Sequence, residues 1–165
     1  MRFRPGGASP FLCFPSSEVT DEQRKLTDSW KSEGLAERLH EICDPSGQVA
    51  LLESVLLRRL AQTPEPDRRI QAGIRLLQIE RCYVGELSRR LNLTRQNLSR
   101  QFRMRVGVGP KCYSRIYRLR RLVERAKASV SPVWSDLAAE LGYCDQAYMI
   151  NECRALTGLT PAEPA

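Results

Sequence analysis

The chain repeats itself at an interval of 50 to 51 residues, and that repeat limits the available folds more than any other feature. The segment from Leu87 to Pro110, LSRRLNLTRQNLSRQFRMRVGVGP, lies over Leu137 to Pro161, LAAELGYCDQAYMINECRALTGLTP. Leu87 and Leu91 fall on Leu137 and Leu141; after one added residue, Arg103, Gly107 and Pro110 fall on Arg154, Gly158 and Pro161. Each copy reads as a short helix, a tight turn, a second helix, a glycine turn and a proline. A helix-turn-helix placed twice in one chain is an arrangement for touching DNA at two places.

The charge distribution points the same way. The net charge is +7, but residues 81–130 hold 14 basic and only 2 acidic side chains, Glu86 and Glu124. Residues 1–65 are slightly acidic, and residues 131–165 hold 1 basic against 5 acidic side chains. A basic block of this density repels itself unless counterions or phosphates lie beside it. The six cysteines are dispersed with no C-x-x-C, and His40 is the one histidine, so the clustered ligands of a zinc site are missing. No metal and no cofactor are expected. No apolar run has the length of a membrane span, and the start has no signal-peptide core. Reduced thiols in a cytoplasm are the plain expectation. An enzyme has little to work with: one histidine and no glycine-rich phosphate loop.

The spacing of apolar residues predicts an all-α fold beyond a short opening piece. RFRPGGASPFLCFP, rich in Gly and Pro, is expected to be a strand or loop. Helical character is expected from Thr20, with Leu35, Leu39 and Ile42 on one face and Val49, Leu52, Val55, Leu56 and Leu60 on another. That last stripe must pack somewhere, on the rest of the chain or on a second copy. Thr63-Pro64-Glu65-Pro66 divides residues 1–62 from residues 67–165, because its prolines stop helices from both sides. Asp67 can then cap a helix that buries Ile70, Ile74 and Leu77. The first helix-turn-helix is placed at about 84–104, a connecting helix at 110–128 and the second unit at 133–155. Pro110 suits the first turn of the connecting helix, whose buried side is assigned to Tyr113, Ile116, Tyr117, Leu119 and Leu122. Asn92 and Gly142 are matched at left-handed turn positions, Thr94 and Asp145 as N-caps.

The second helix of such a unit lies in the major groove, so it needs an apolar inner face and an outer face that can bond base edges. In helix 95–103, Leu98 and Phe102 point inward, leaving Arg95, Gln96, Ser99, Arg100 and Arg103 outside. In helix 146–154, Met149 and Cys153 fill the inner positions, leaving Gln146, Ala147, Ile150, Asn151 and Arg154 outside. Ile150 is either a contact for thymine methyls or a plain surface hydrophobe. Most of the affinity is expected from the first unit and the connecting helix, which hold nearly all the positive charge.

Residues 67–165 resemble the DNA-binding domain of the AraC/XylS family of bacterial transcription regulators. The resemblance rests on LSRRLNLTRQNLSRQFRMRVGVGPKCYSRIYRLRRL and on DLAAELGYCDQAYMINECRALTGLTPAE. The G-Y-x-D-Q-A run followed by R-x-x-T-G-x-T-P is its most specific mark. It implies two helix-turn-helix units on one connecting helix, with recognition helices in successive major grooves of double-stranded DNA. By position it assigns base reading to Gln96, Ser99 and Arg100, and to Gln146, Ala147, Ile150 and Asn151. Thr94, Arg95, Arg103, Lys111, Arg115 and Arg154 are assigned to the DNA backbone or groove walls. RNA polymerase and a second copy of the chain stand open as further partners. The sequence departs from the family at Met149 and Cys153, where phenylalanines are common, and at Pro164, where an aromatic is. RFRPGGASPFL and the helical stretch after it resemble the tail of a sensor half, so the start is either internal to a longer gene or that of a shortened regulator. Two alternatives remain: a truncated helical partner of a full-length regulator, or a general basic nucleic-acid binder.

Overall fold

The computed structural model describes residues 3–23, 34–65, 67–79 and 82–161. Arg24 to Glu33, Pro66 of the linker and Pro164 lie outside the described residues. Within them the chain is helical and contains no strand. Two 3₁₀ turns, Ser9–Phe11 and Ser16–Val19, come first. Among the described residues eight α-helices follow: α1 Leu35–Glu41, α2 Pro45–Gln62, α3 Arg68–Ile79, α4 Val84–Arg90, α5 Arg95–Val106, α6 Pro110–Lys127, α7 Trp134–Leu141 and α8 Gln146–Thr157.

Two apolar clusters organise these helices. The first joins Ile70, Ile74 and Leu77 of α3 to Leu87, Leu91, Leu98, Phe102 and Tyr113. The second joins Leu122 to Ala138, Leu141, Tyr143, Met149 and Cys153. Each cluster is the core of one helix-turn-helix, and α6 contributes to both. Tyr113 and Leu122 are nine residues apart, which at about 100° per residue puts them on opposite sides of the helix. The connecting helix therefore turns one face to each unit.

Local chemistry sets the helix boundaries. The Asn97 amide donates to Thr94 Oγ1 at 3.2 Å, and the Tyr148 amide donates to Asp145 Oδ1 at 2.6 Å, so both recognition helices begin at side-chain caps. Asn92 has φ 50° and Gly142 φ 80°, the left-handed geometry expected of both turns. α5 and α8 run three residues past the expected ends at Arg103 and Arg154, stopping at Gly107 and Gly158. Glycine at a positive φ ends a helix more firmly than the preceding arginine does.

The opening piece takes the loop of the two forms expected for it, wound into two 3₁₀ turns. Those turns dock on the helices: Ser16–Val19 lies against α5, and Ser9–Phe11 against α2 and α5. The α2 stripe is partly covered: Leu52, Val55 and Leu56 are half-buried, while Val49 and Leu60 are exposed. One expectation is corrected: Ile116, assigned to the buried side of α6, is exposed, because it lies on the flank between the faces that α6 turns to the two units.

Candidate nucleic-acid interface

The outer face of α5 is built by the alternation that buries Leu98 and Phe102 completely. Gln96, Arg95, Arg100 and Arg103 are exposed, and Ser99 is half-exposed beside them. Gln96, Ser99, Arg100 and Arg103 line one open groove together with Arg95, Met104, Pro15 and Ser17. The sequence-predicted base readers of the first unit are thus brought together on a single surface. Pro15 and Ser17 were not foreseen there; nothing in the local sequence tells that the opening segment folds back onto this helix. Thr20 Oγ1 donates to the Gly107 carbonyl at 3.1 Å and ties that segment to the end of α5. Arg100 also donates to Asn97 Oδ1 at 3.2 Å, which steers its guanidinium along the helix surface. Thr94 is spent on the cap, though its exposure leaves the hydroxyl accessible.

The outer face of α8 carries Gln146, Ala147, Asn151 and Arg154, all exposed. Ile150 is half-buried, packing against the second core with part of its side chain left on the outer face. It belongs first to the packing of the unit. Tyr148, which the sequence reading passed over, projects from the side of α8 with its hydroxyl donating to Glu152 Oε2 at 3.2 Å. Its ring lies 6.3 Å from that of Tyr143. Burial is the largest cause that holds the Tyr143 hydroxyl and the Cys153 thiol above their ordinary titration ranges, with the Glu152 carboxylate adding to both. Both groups are neutral in the interior of this unit at ordinary pH.

Arg115 and Lys111 separate. Lys111 is exposed at the start of α6. Arg115 is partly exposed and is engaged by the protein: its Nε donates at 3.2 Å to Oε2 of Glu152, whose side chain is only 3 % exposed. Three further α6 arginines are also engaged. Arg118 lies 5.0 Å from the centre of the Tyr143 ring, Arg120 is 2.7 Å from Glu124, and Arg125 is 2.9 Å from Glu140. The sequence showed the charge of α6 and not its destination.

Among the described residues no group of three or more His, Cys, Asp or Glu side chains could hold a metal ion, and none of the six cysteines is in a disulfide. No described helix is long and apolar enough to cross a membrane.

Residues 87–164 match a family model described as a helix-turn-helix domain, the AraC-type form. Comparison with curated proteins and with solved structures returned no match. The matched residues span both units and the helix between them, with both turns capped and both reading faces open. Over that region the chain carries an AraC-type helix-turn-helix domain, a match that supports an AraC/XylS-family DNA-binding regulator.

Proposed function

We propose that the chain is a sequence-specific DNA-binding regulator whose recognition helices α5 and α8 enter successive major grooves on one face of a duplex. The observation that carries this reading is the repeated, capped helix with an apolar inner face and a polar outer one. Gln96, Ser99 and Arg100 are the base readers of the first unit, and Gln146, Ala147 and Asn151 those of the second. Arginine bonds guanine through a two-toothed fork, and glutamine or asparagine does the same to adenine. Arg95, Arg103, Lys111 and Arg154 are exposed and suited to phosphate oxygens. Residues 67–165 form the DNA-binding domain, and residues 1–62, joined through 63–66, form an appendage whose 3₁₀ turns lie against α5.

The competing reading is a general basic binder that neutralises phosphates without choosing among sequences. Selection of duplexes from a random pool, followed by titration at fixed salt, separates the two. A specific regulator binds its selected duplex about 10³-fold or more tightly than random DNA, whereas a general binder gives a ratio near one.

A further inference from the structure

The second recognition helix is fixed to the protein by charge to a degree that the first is not. Arg115, Arg118, Leu122 and Arg125 of α6 fall within about 80° of one another, around the face opposite Tyr113, at 100° per residue. Each reaches a different element of the second unit. Arg115 meets Glu152 on α8, Arg118 lies over Tyr143 in the turn, and Arg125 meets Glu140 on α7. Of the two carboxylates, Glu152 is the buried one and Glu140 is exposed. Its Oε2 accepts from both Arg115 and Tyr148, and its Oε1 has no hydrogen-bond partner among the described residues. A carboxylate held in the interior needs a compensating charge, and Arg115 is the cation that supplies it. The same region has little apolar bulk to hold α8 in place, since Cys153 stands where the repeat has Phe102.

We infer that Glu152 and Arg115 are positioning residues for DNA recognition: together they set how α8 sits on α6, and so where Gln146, Ala147 and Asn151 present themselves. Arg118 and Arg125 brace the same unit from the turn and from α7. These arginines are engaged by partners in the second unit, and the phosphate contacts fall to Arg95, Arg103, Lys111 and Arg154. This rests on the DNA-reading role proposed above.

The test uses the full chain and the duplex it selects, alongside the same duplex with the half contacted by α8 scrambled. Arg115→Lys keeps the charge a phosphate would need but loses the planar fork that grips a carboxylate from a fixed angle. Arg115→Lys and Glu152→Gln are each expected to weaken binding to the intact duplex about tenfold, the scale of one hydrogen bond to a charged group. Neither should change binding to the scrambled duplex. The double variant should lose no more than the worse single one, because both act through one contact. Amide hydrogen exchange without DNA should rise in 146–157 and stay unchanged in 95–106. The inference is overturned if Arg115→Lys binds like the parent chain, or if Arg115→Met loses equally on both duplexes as a phosphate contact would. It is also overturned if Glu152→Gln leaves exchange in α8 unchanged. If the parent chain selects no duplex, the DNA-reading role fails, while the exchange experiment still decides whether the two residues hold α8. Should Glu152→Gln unfold the second unit, Arg115→Lys, which retains both charges, carries the test.

Discussion

The two helix-turn-helix units share a sequence pattern and are held together by different forces. In the first, α3 lays Ile70, Ile74 and Leu77 against Leu87, Leu91, Leu98 and Phe102, and Tyr113 closes the end with its hydroxyl accepting from Gln78 Nε2 at 2.7 Å. In the second no helix among the described residues stands where α3 does, Phe102 is matched by Cys153, and arginines of α6 take over part of the work. Fully burying one large apolar side chain stabilises by about 1.5–3 kcal/mol. Exposed ion pairs such as Arg125 with Glu140 contribute about 0–1 kcal/mol each. The comparison teaches that the repeat preserves the geometry of a reading helix and leaves the source of its stability free to vary.

The largest test of this difference is at its matched inner positions. Phe102→Ala should cost about 3–5 kcal/mol, as truncations of buried aromatics do. Cys153→Ala removes one sulfur and should cost no more than about 1.5 kcal/mol. Urea unfolding of both variants measures the two values, and equal losses would break the comparison.

On DNA, Arg100→Ala should lose about 1–3 kcal/mol, concentrated at one base position of the selected duplex. Asn151→Ala should lose less, because the helix that carries it rests on fewer apolar contacts. A uniform loss across unrelated sequences would make Arg100 a phosphate contact instead.

The two closing glycines give a matched pair. Gly158 has φ 78° with nothing within 4 Å of an added Cβ, whereas Gly107 has φ 96° with Thr20 Oγ1 at 2.9 Å and the Ser16 carbonyl at 3.2 Å. Gly158→Ala should cost about 1–2 kcal/mol for left-handed backbone alone. Gly107→Ala should cost more and loosen the opening segment, visible as faster amide exchange in residues 15–20. An unchanged segment would mean that it is not held at Gly107.

The smallest effect is at alkaline pH. Cys153 and Tyr143 titrate higher in the folded protein than in the unfolded chain, whose ordinary values are 9.0 and 10.0. The folded state keeps these protons while the unfolded state loses them, so stability is intact below about pH 9 and falls as pH rises past it. Tyr113 is raised in the first unit too, but from 10.0, so the second unit should loosen first. The fluorescence of Trp134, packed on the second core, follows this in a Trp30→Phe background. Simultaneous loosening of the two units would contradict it.

Much of the fold was legible because it rests on local rules. The caps Thr94 and Asp145, the left-handed turns at Asn92 and Gly142 and the buried pairs Leu98–Phe102 and Met149–Cys153 all follow from residue type and spacing. What was not legible depends on contacts between residues far apart in the chain. Ile116 was placed in the core because helical spacing does not tell that α6 serves two units from opposite faces. Arg115 was assigned to DNA because a basic helix shows its charge and hides its partner, 37 residues away. The opening segment has no periodicity from which its seat on α5 could be read.

The central claim is that two differently built units present two reading helices to one duplex. Hydroxyl-radical footprinting of the parent chain on its selected DNA tests this most directly. The account predicts two protected patches on one face of the duplex, about 10–10.5 base pairs apart. A single patch under conditions of saturating protein would contradict it.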